Sequence, residues 1–119
     1  MSAETVAYST LSAASAVTAI AGTRIYPDFV PTEIAVPAVA ISRASTEYTT
    51  TIHSGVPIGV DVMLEVWSMA DTRKVAEQLA DAVVTALGTA GFIMQDRSPE
   101  FDSDTKLFAA VLTVIYHEL

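Results

Sequence analysis

The residues able to do chemistry are few, and their spacing does not combine them. The chain has no cysteine, which excludes a disulfide scaffold, a thiolate metal site and a cysteine nucleophile. Its two histidines, His53 and His117, stand outside any ligand spacing such as H-x-x-x-H. The run Asp96, Glu100, Asp102, Asp104 lacks the D-x-D-x-D-G order and closing glutamate of a calcium loop, and reads as a solvated hairpin loop. Asp61 and Glu65 share one strand face, but four strand positions separate them by about 13 Å, too far to share a proton or a glycosidic bond. Gly22, Gly55, Gly59, Gly88 and Gly91 are isolated, so no phosphate-cradling loop forms. No G-x-S-x-G elbow is present. The single Trp67 is expected to pack under a helix end. The residues thus predict no catalytic group, no cofactor site and no metal site.

Charge narrows the partners. Six basic residues against 14 acidic ones give a net charge of −8, and six scattered cations build no patch for tight binding to a phosphate backbone. The 119 residues suit one domain with its own core. Apolar residues make up 51%, which excludes disorder, yet only 17% are charged, against about 25% in an average soluble domain. Such a surface is under-charged for a free monomer. The charge also gathers in Asp61–Lys106, so the sparsely charged first half is where other subunits are expected to cover the surface.

Several elements follow from periodicity. The uncharged run Thr5–Thr23 is too rich in Ser, Thr and Ala for a membrane span, and Glu4 stands where a secretory signal needs positive charge. It reads as one amphipathic helix over residues 4–21, made in the cytoplasm. Val6, Thr10, Ala13, Ala14, Val17, Ile20 and Ala21 face inward, and Gly22 ends it. Its outer face, with Tyr8, Ser12, Ser15, Ala16 and Ala19, is small and uncharged. Prolines at 27, 31 and 37 predict a loop without regular structure over Arg24–Val36, apolar through Phe29 and Ile34 and lying against the core. Ala38–Arg43 alternates weakly, and Thr46–His53 is rich in β-branched and aromatic residues. Ile58–Trp67 alternates cleanly, with Val60, Val62, Leu64 and Val66 on one face. A turn at Gly55 joins these into one long hairpin. Asp71 caps a second helix running to about Leu87, with Leu79 and Val83 in its buried stripe. Phe92–Asp96 is a short strand, Arg97–Thr105 a polar loop broken by Pro99, and Leu107–Tyr116 a central strand apolar on both faces, as expected for cover on both sides. The order predicts an α+β two-layer domain: a mostly antiparallel sheet of about four strands, two helices packed on it, and a long β-hairpin arm.

The order and spacing of short motifs resemble a known family. Gly22-Thr23-Arg24-Ile25-Tyr26-Pro27 follows the alanine-rich helix. Then come Pro37-Ala38-Val39-Ala40-Ile41-Ser42, a strand ending Leu64-Glu65-Val66-Trp67-Ser68, and Val75-Ala76-Glu77-Gln78-Leu79-Ala80-Asp81-Ala82-Val83 before a closing apolar strand. Over nearly its whole length the chain resembles the bacteriophage tail completion family, which includes tail terminators and tail-to-head joining proteins. The resemblance implies a single domain over residues 1–119 and a virion structural protein without catalysis or cofactor. It implies a ring, usually six-fold, at the head-proximal end of the tail. That ring stops tube polymerisation and docks the head-completion or connector protein; gene transfer agents use the same part. DNA would only pass through the lumen, where an acidic lining disfavours phosphate contacts. Two other readings stay open: a neighbouring neck ring protein, and a small α+β ligand-binding or enzymatic dimer.

Two surfaces are then expected to assemble the particle. The first is the helix face of Tyr8, Ser12, Ser15, Ala16 and Ala19 together with Phe29, joining subunits. The second is the arm, residues 45–57, in which Glu47, Tyr48, Thr50, Ile52 and His53 would contact a neighbour or the tail tube protein. Its strand edges lack the charges that usually guard them, so the arm is expected to order on its partner, the alternative being a hairpin folded back on its own sheet.

Overall fold

The computed structural model describes residues 2–27, 36–50, 57–103 and 105–118. Phe29, Ile52 and His53, singled out above, lie outside the described residues. The elements are α1 (Ala3–Ala13), α2 (Ser15–Ala21), β1 (Ile25–Pro27), β2 (Ala38–Thr50), β3 (Pro57–Ala70), α3 (Arg73–Thr89), β4 (Ile93–Asp102) and β5 (Leu107–Glu118). The five strands form one sheet in the order β1-β2-β3-β5-β4. β1 runs parallel to β2, and every other pairing is antiparallel. The architecture is therefore α+β, with five strands and three helices where about four and two were expected.

The expected helix over residues 4–21 is broken at Ala14, whose backbone is extended (φ −82, ψ 112). Spacing explains the break. Ala3, Ala7 and Leu11 are buried at four-residue steps, but the next buried residue, Val17, comes six later. Six residues carry a helix about 240° round its axis, so one straight helix would turn Val17 away from the face that buries Leu11. Ending α1 and starting α2 at Ala14 resets the phase. The fully buried residues are Ala3, Ala7, Leu11, Val17 and Ala21; of the expected inward face Val17 and Ala21 are buried, Val6, Ala14 and Ile20 pack partly buried against the core, and Ala13 is exposed. Ser2 caps α1, its Oγ accepting from the Thr5 amide at 3.2 Å. Gly22 ends α2 with φ 62, a left-handed conformation that suits glycine.

Two segments expected as loops are strands. Ile25–Pro27 pairs with Val39–Ile41 at one edge, where Pro27 is tolerated because an edge strand needs ladder bonds on one side only. At the opposite edge β4 runs on through Pro99 to Asp102. Pro99 pairs with Ala110, and its missing N–H is accommodated for the same reason. Arg97 pins β4 to α3 by ion pairs to Glu77 and to Asp81 Oδ1 at 2.8 Å. The second helix starts one residue late: Thr72, not Asp71, is its N-cap, its Oγ1 accepting from the Val75 amide at 3.3 Å.

The helices cover one face of the sheet. Val39 and Ile41 of β2, Val62, Leu64 and Val66 of β3, and Leu112 and Val114 of β5 pack against Leu11, Val17, Leu79, Val83 and Leu87. This is the alternation read from Ile58–Trp67, placed as expected. β5 is interior, between β3 and β4, but among the described residues no helix lies on its other face. Cover on both sides was expected; among the described residues helices supply it on one side, while on the other Ala109 and Val111 are buried and Leu107 and Ile115 are partly exposed. Trp67 is corrected with it. The residue points to the bare face, half-buried, its indole N–H 3.4 Å from Glu65 Oε1, and not under a helix end.

Candidate assembly surfaces

The expected helix surface is present as a surface. Tyr8, Ser12, Ser15, Ala16 and Ala19 are all exposed on α1 and α2, with Tyr8 at 41% the large residue among them. The break at Ala14 adds a feature that periodicity did not reveal. It opens a hollow of about 410 Å³ against the flank of α3, lined by Thr10, Ala13, Ala14, Ser15, Ala16, Ala82, Thr85, Ala86 and Thr89. The lining is small and uncharged throughout, which lets another chain approach closely.

The arm begins where β2 and β3 leave the rest of the sheet. β5 reaches β3 as far as the pairs Asp61–His117 and Val60–Glu118, and beyond them β2 and β3 continue to pair through Thr49–Gly59 and Thr50–Pro57. β1 leaves β2 after Ile41, so the far edge of β2 is unpaired from there among the described residues. Glu47 and Tyr48 are exposed on β2 at the root of this extension, Tyr48 at 64%.

Two polar clusters fix the root of the arm. Arg43, at a register shift of β2, holds Glu4 of α1 by two hydrogen bonds, at 2.6 Å to Oε1 and 3.1 Å to Oε2. Its guanidinium also lies 3.8 Å from Glu118, whose Oε1 accepts from the Ala3 amide at 2.6 Å. The hydrogen bonds from Arg43 outweigh burial and hold the Glu4 carboxyl below its ordinary range, while Glu4 pushes Arg43 up. On the bare face, His117 Nδ1 lies 2.6 Å from Asp61 Oδ1. The same ring covers Gly59 so closely that a Cβ there would sit 2.8 Å from its Cε1.

Among the described residues no group of three or more His, Cys, Asp or Glu could hold a metal ion. No helix there is long and apolar enough to cross a membrane. Asp96, Glu100 and Asp102, read as part of a loop, lie on β4; Asp104 lies outside the described residues.

The surface missed in the sequence is the bare face itself. Met63, Trp67 and Met69 of β3, Leu107, Val111 and Ile115 of β5, and Ile93 of β4 lie on it, with Ile93 62% exposed. The signal was present in the alternation: the positions opposite Val62, Leu64 and Val66 hold Met63 and Trp67 beside Glu65, not polar residues alone.

The comparisons with known proteins give these surfaces a setting. Residues 7–116 match the family described as Tail completion protein gp17. The chain belongs to that family, and is a structural protein of the phage tail. No curated protein matches it. A solved chain titled "Virion of native gene transfer agent (GTA) particle" is similar in fold, with a TM-score of 0.74 at 18% identity, covering 95% of this chain and 91% of its own.

Proposed function

We propose that this protein caps the tail tube. Copies of the chain assemble into a ring, six-fold as the family resemblance implies, at the head-proximal end of the tube. The ring stops polymerisation there and presents a face to the head-completion or connector protein. All of residues 1–119 acts as one domain in this role. The faces of Tyr8, Ser12, Ser15, Ala16 and Ala19, with Phe29, join neighbours. The arm, residues 45–57, reaches the next subunit or the tube protein through Glu47, Tyr48, Thr50, Ile52 and His53. The protein works without catalysis, metal or cofactor. It is made in the host cytoplasm and ends in the virion, and its acidic charge lets DNA pass through the lumen without sticking.

One observation carries this reading: a tail completion chain exposes an uncharged small-residue helix face and a hairpin that outruns its own sheet. Interface cores are depleted in charge, and an unguarded strand edge is a template for pairing. The shared fold with a chain of a gene transfer agent virion supports the same setting. Electron microscopy of tail tubes polymerised with and without the purified protein tests the proposal. Tubes of fixed length with a ring at one end are expected. Tubes that lengthen equally in both samples would overturn it.

A further inference from the structure

The two-layer domain carries two unlike surfaces on opposite sides. On the sheet side the bare face presents bulk: Met63, Trp67 and Met69 of β3 lie on it, with Ile115 of β5 and Ile93 of β4 in register beside Met63. On the helix side the break at Ala14 leaves a hollow against α3, lined only by Ala, Ser and Thr. A ring requires this kind of pair. Its contacts are heterologous, so each subunit needs two different complementary patches facing opposite ways.

We infer that the bare sheet face of one copy packs into the α1–α2–α3 hollow of the next copy, forming the ring seam. Four observations support this occupant. β5 is apolar on both faces, yet among the described residues helices cover only one, and Leu107 and Ile115 on the other remain partly exposed. The large side chains of one face meet the small ones of the other, the match that lets layers interdigitate. The patch spans three strands about 4.8 Å apart and about nine residues long, on the order of 400 Å². That footprint, in which Asp61, Glu65 and Thr113 lie among the apolar side chains, is about half of a standard interface of about 800 Å² per partner. Charge then sets the orientation. Glu100 lies at the end of the bare face near Met69, and Lys74 is exposed on α3 beyond the hollow. The seam sets the Glu100 end of the sheet over the Lys74 end of α3.

This seam rests on the ring reading and gives the helix face its partner. The absence of cysteine allows a clean test. Thr85→Cys marks the hollow and Thr113→Cys marks the bare face. The double variant, assembled alone or on tail tubes, is treated with a short bis-maleimide crosslinker. A covalent ladder rising to the full ring is expected, with neither single variant forming crosslinked dimers. A dimer from T113C alone would mean that sheet faces pair with each other, and one from T85C alone that helix faces do; either overturns the seam. Rings seen by native mass or microscopy without a ladder also overturn the seam but leave the ring reading standing. No ring under any condition overturns both. The orientation has its own readout: Lys74→Glu should weaken assembly at least tenfold, and adding Glu100→Lys should restore it. Restoration failing while the ladder forms would overturn the orientation alone.

Discussion

The two faces of the sheet are made from the same strands and differ in what covers them. Toward the helices, Val62, Leu64 and Val66 of β3 and Val114 of β5 are fully buried among apolar neighbours. On the other side the alternate residues of the same strands, Met63, Trp67, Met69 and Ile115, are half-buried and mixed with Asp61, Glu65 and Thr113. The difference teaches that the strands have two tasks. One face holds the domain together; the other is apolar enough to need cover, and polar enough to remain in water until cover arrives.

The largest effects should separate these tasks. Leu64→Ala removes a side chain fully buried under the helices and should cost about 2–5 kcal/mol of stability, read by urea unfolding. Trp67→Glu on the bare face should change stability far less and abolish ring assembly, read by mass in solution. Equal losses of stability for the two variants would break the comparison.

Ser68 sharpens it from inside. This residue is on the helix side of β3, fully buried, and its hydroxyl has no hydrogen-bond partner among the described residues. Removing an unsatisfied buried hydroxyl relieves its desolvation, so Ser68→Ala should raise stability by about 1 kcal/mol with assembly intact. A drop of similar size would mean the hydroxyl is satisfied.

A smaller effect belongs to the clamp between α1 and the root of the arm. Arg43→Ala should cost about 0.2–1 kcal/mol, as for a partly exposed pair. Because Arg43 lowers the folded-state pKa of Glu4, the carboxylate contributes stability above the ordinary carboxylate range, and that contribution fades as pH falls through the depressed value. The gap in Tm between wild type and Arg43→Ala should therefore be full near neutral pH and close in acid. A gap independent of pH would place the role of Arg43 in packing. The smallest expected effect is none: melts with and without EDTA should coincide, and a shift would reveal a bound metal.

Much of this fold was legible because single residues repeat with a clear period. Val60, Val62, Leu64 and Val66 marked β3, and Leu79 and Val83 marked α3, since each buries against one continuous layer. The helix break was legible only in phase, through the six-residue step from Leu11 to Val17, and counting apolar residues on one wheel hid it. Ile25–Pro27 is too short to show a period. The start of β4 was legible at Phe92–Asp96, and its continuation to Asp102 was hidden by Pro99 and its carboxylates, which mark loops in general but are tolerated on an edge strand. Of the assembly surfaces, the helix face of Tyr8, Ser12, Ser15, Ala16 and Ala19 was readable as an uncharged stripe. The hollow beside it was not, since α3 supplies the other wall through Ala82, Thr85 and Ala86. The bare face was obscured because Glu65 and Asp61 interrupt its apolar residues along the strand, while Val111 and Ile115, its neighbours in space, lie far away in sequence.

The most direct measurement of the capping role is the length distribution of tail tubes grown with increasing amounts of this protein, read by electron microscopy. A capping ring predicts that elongation stops on addition, with a ring visible at one end of each tube. Trp67→Glu protein should leave growth unchanged. Tubes that continue to lengthen past a saturating amount of the wild-type protein would contradict the account.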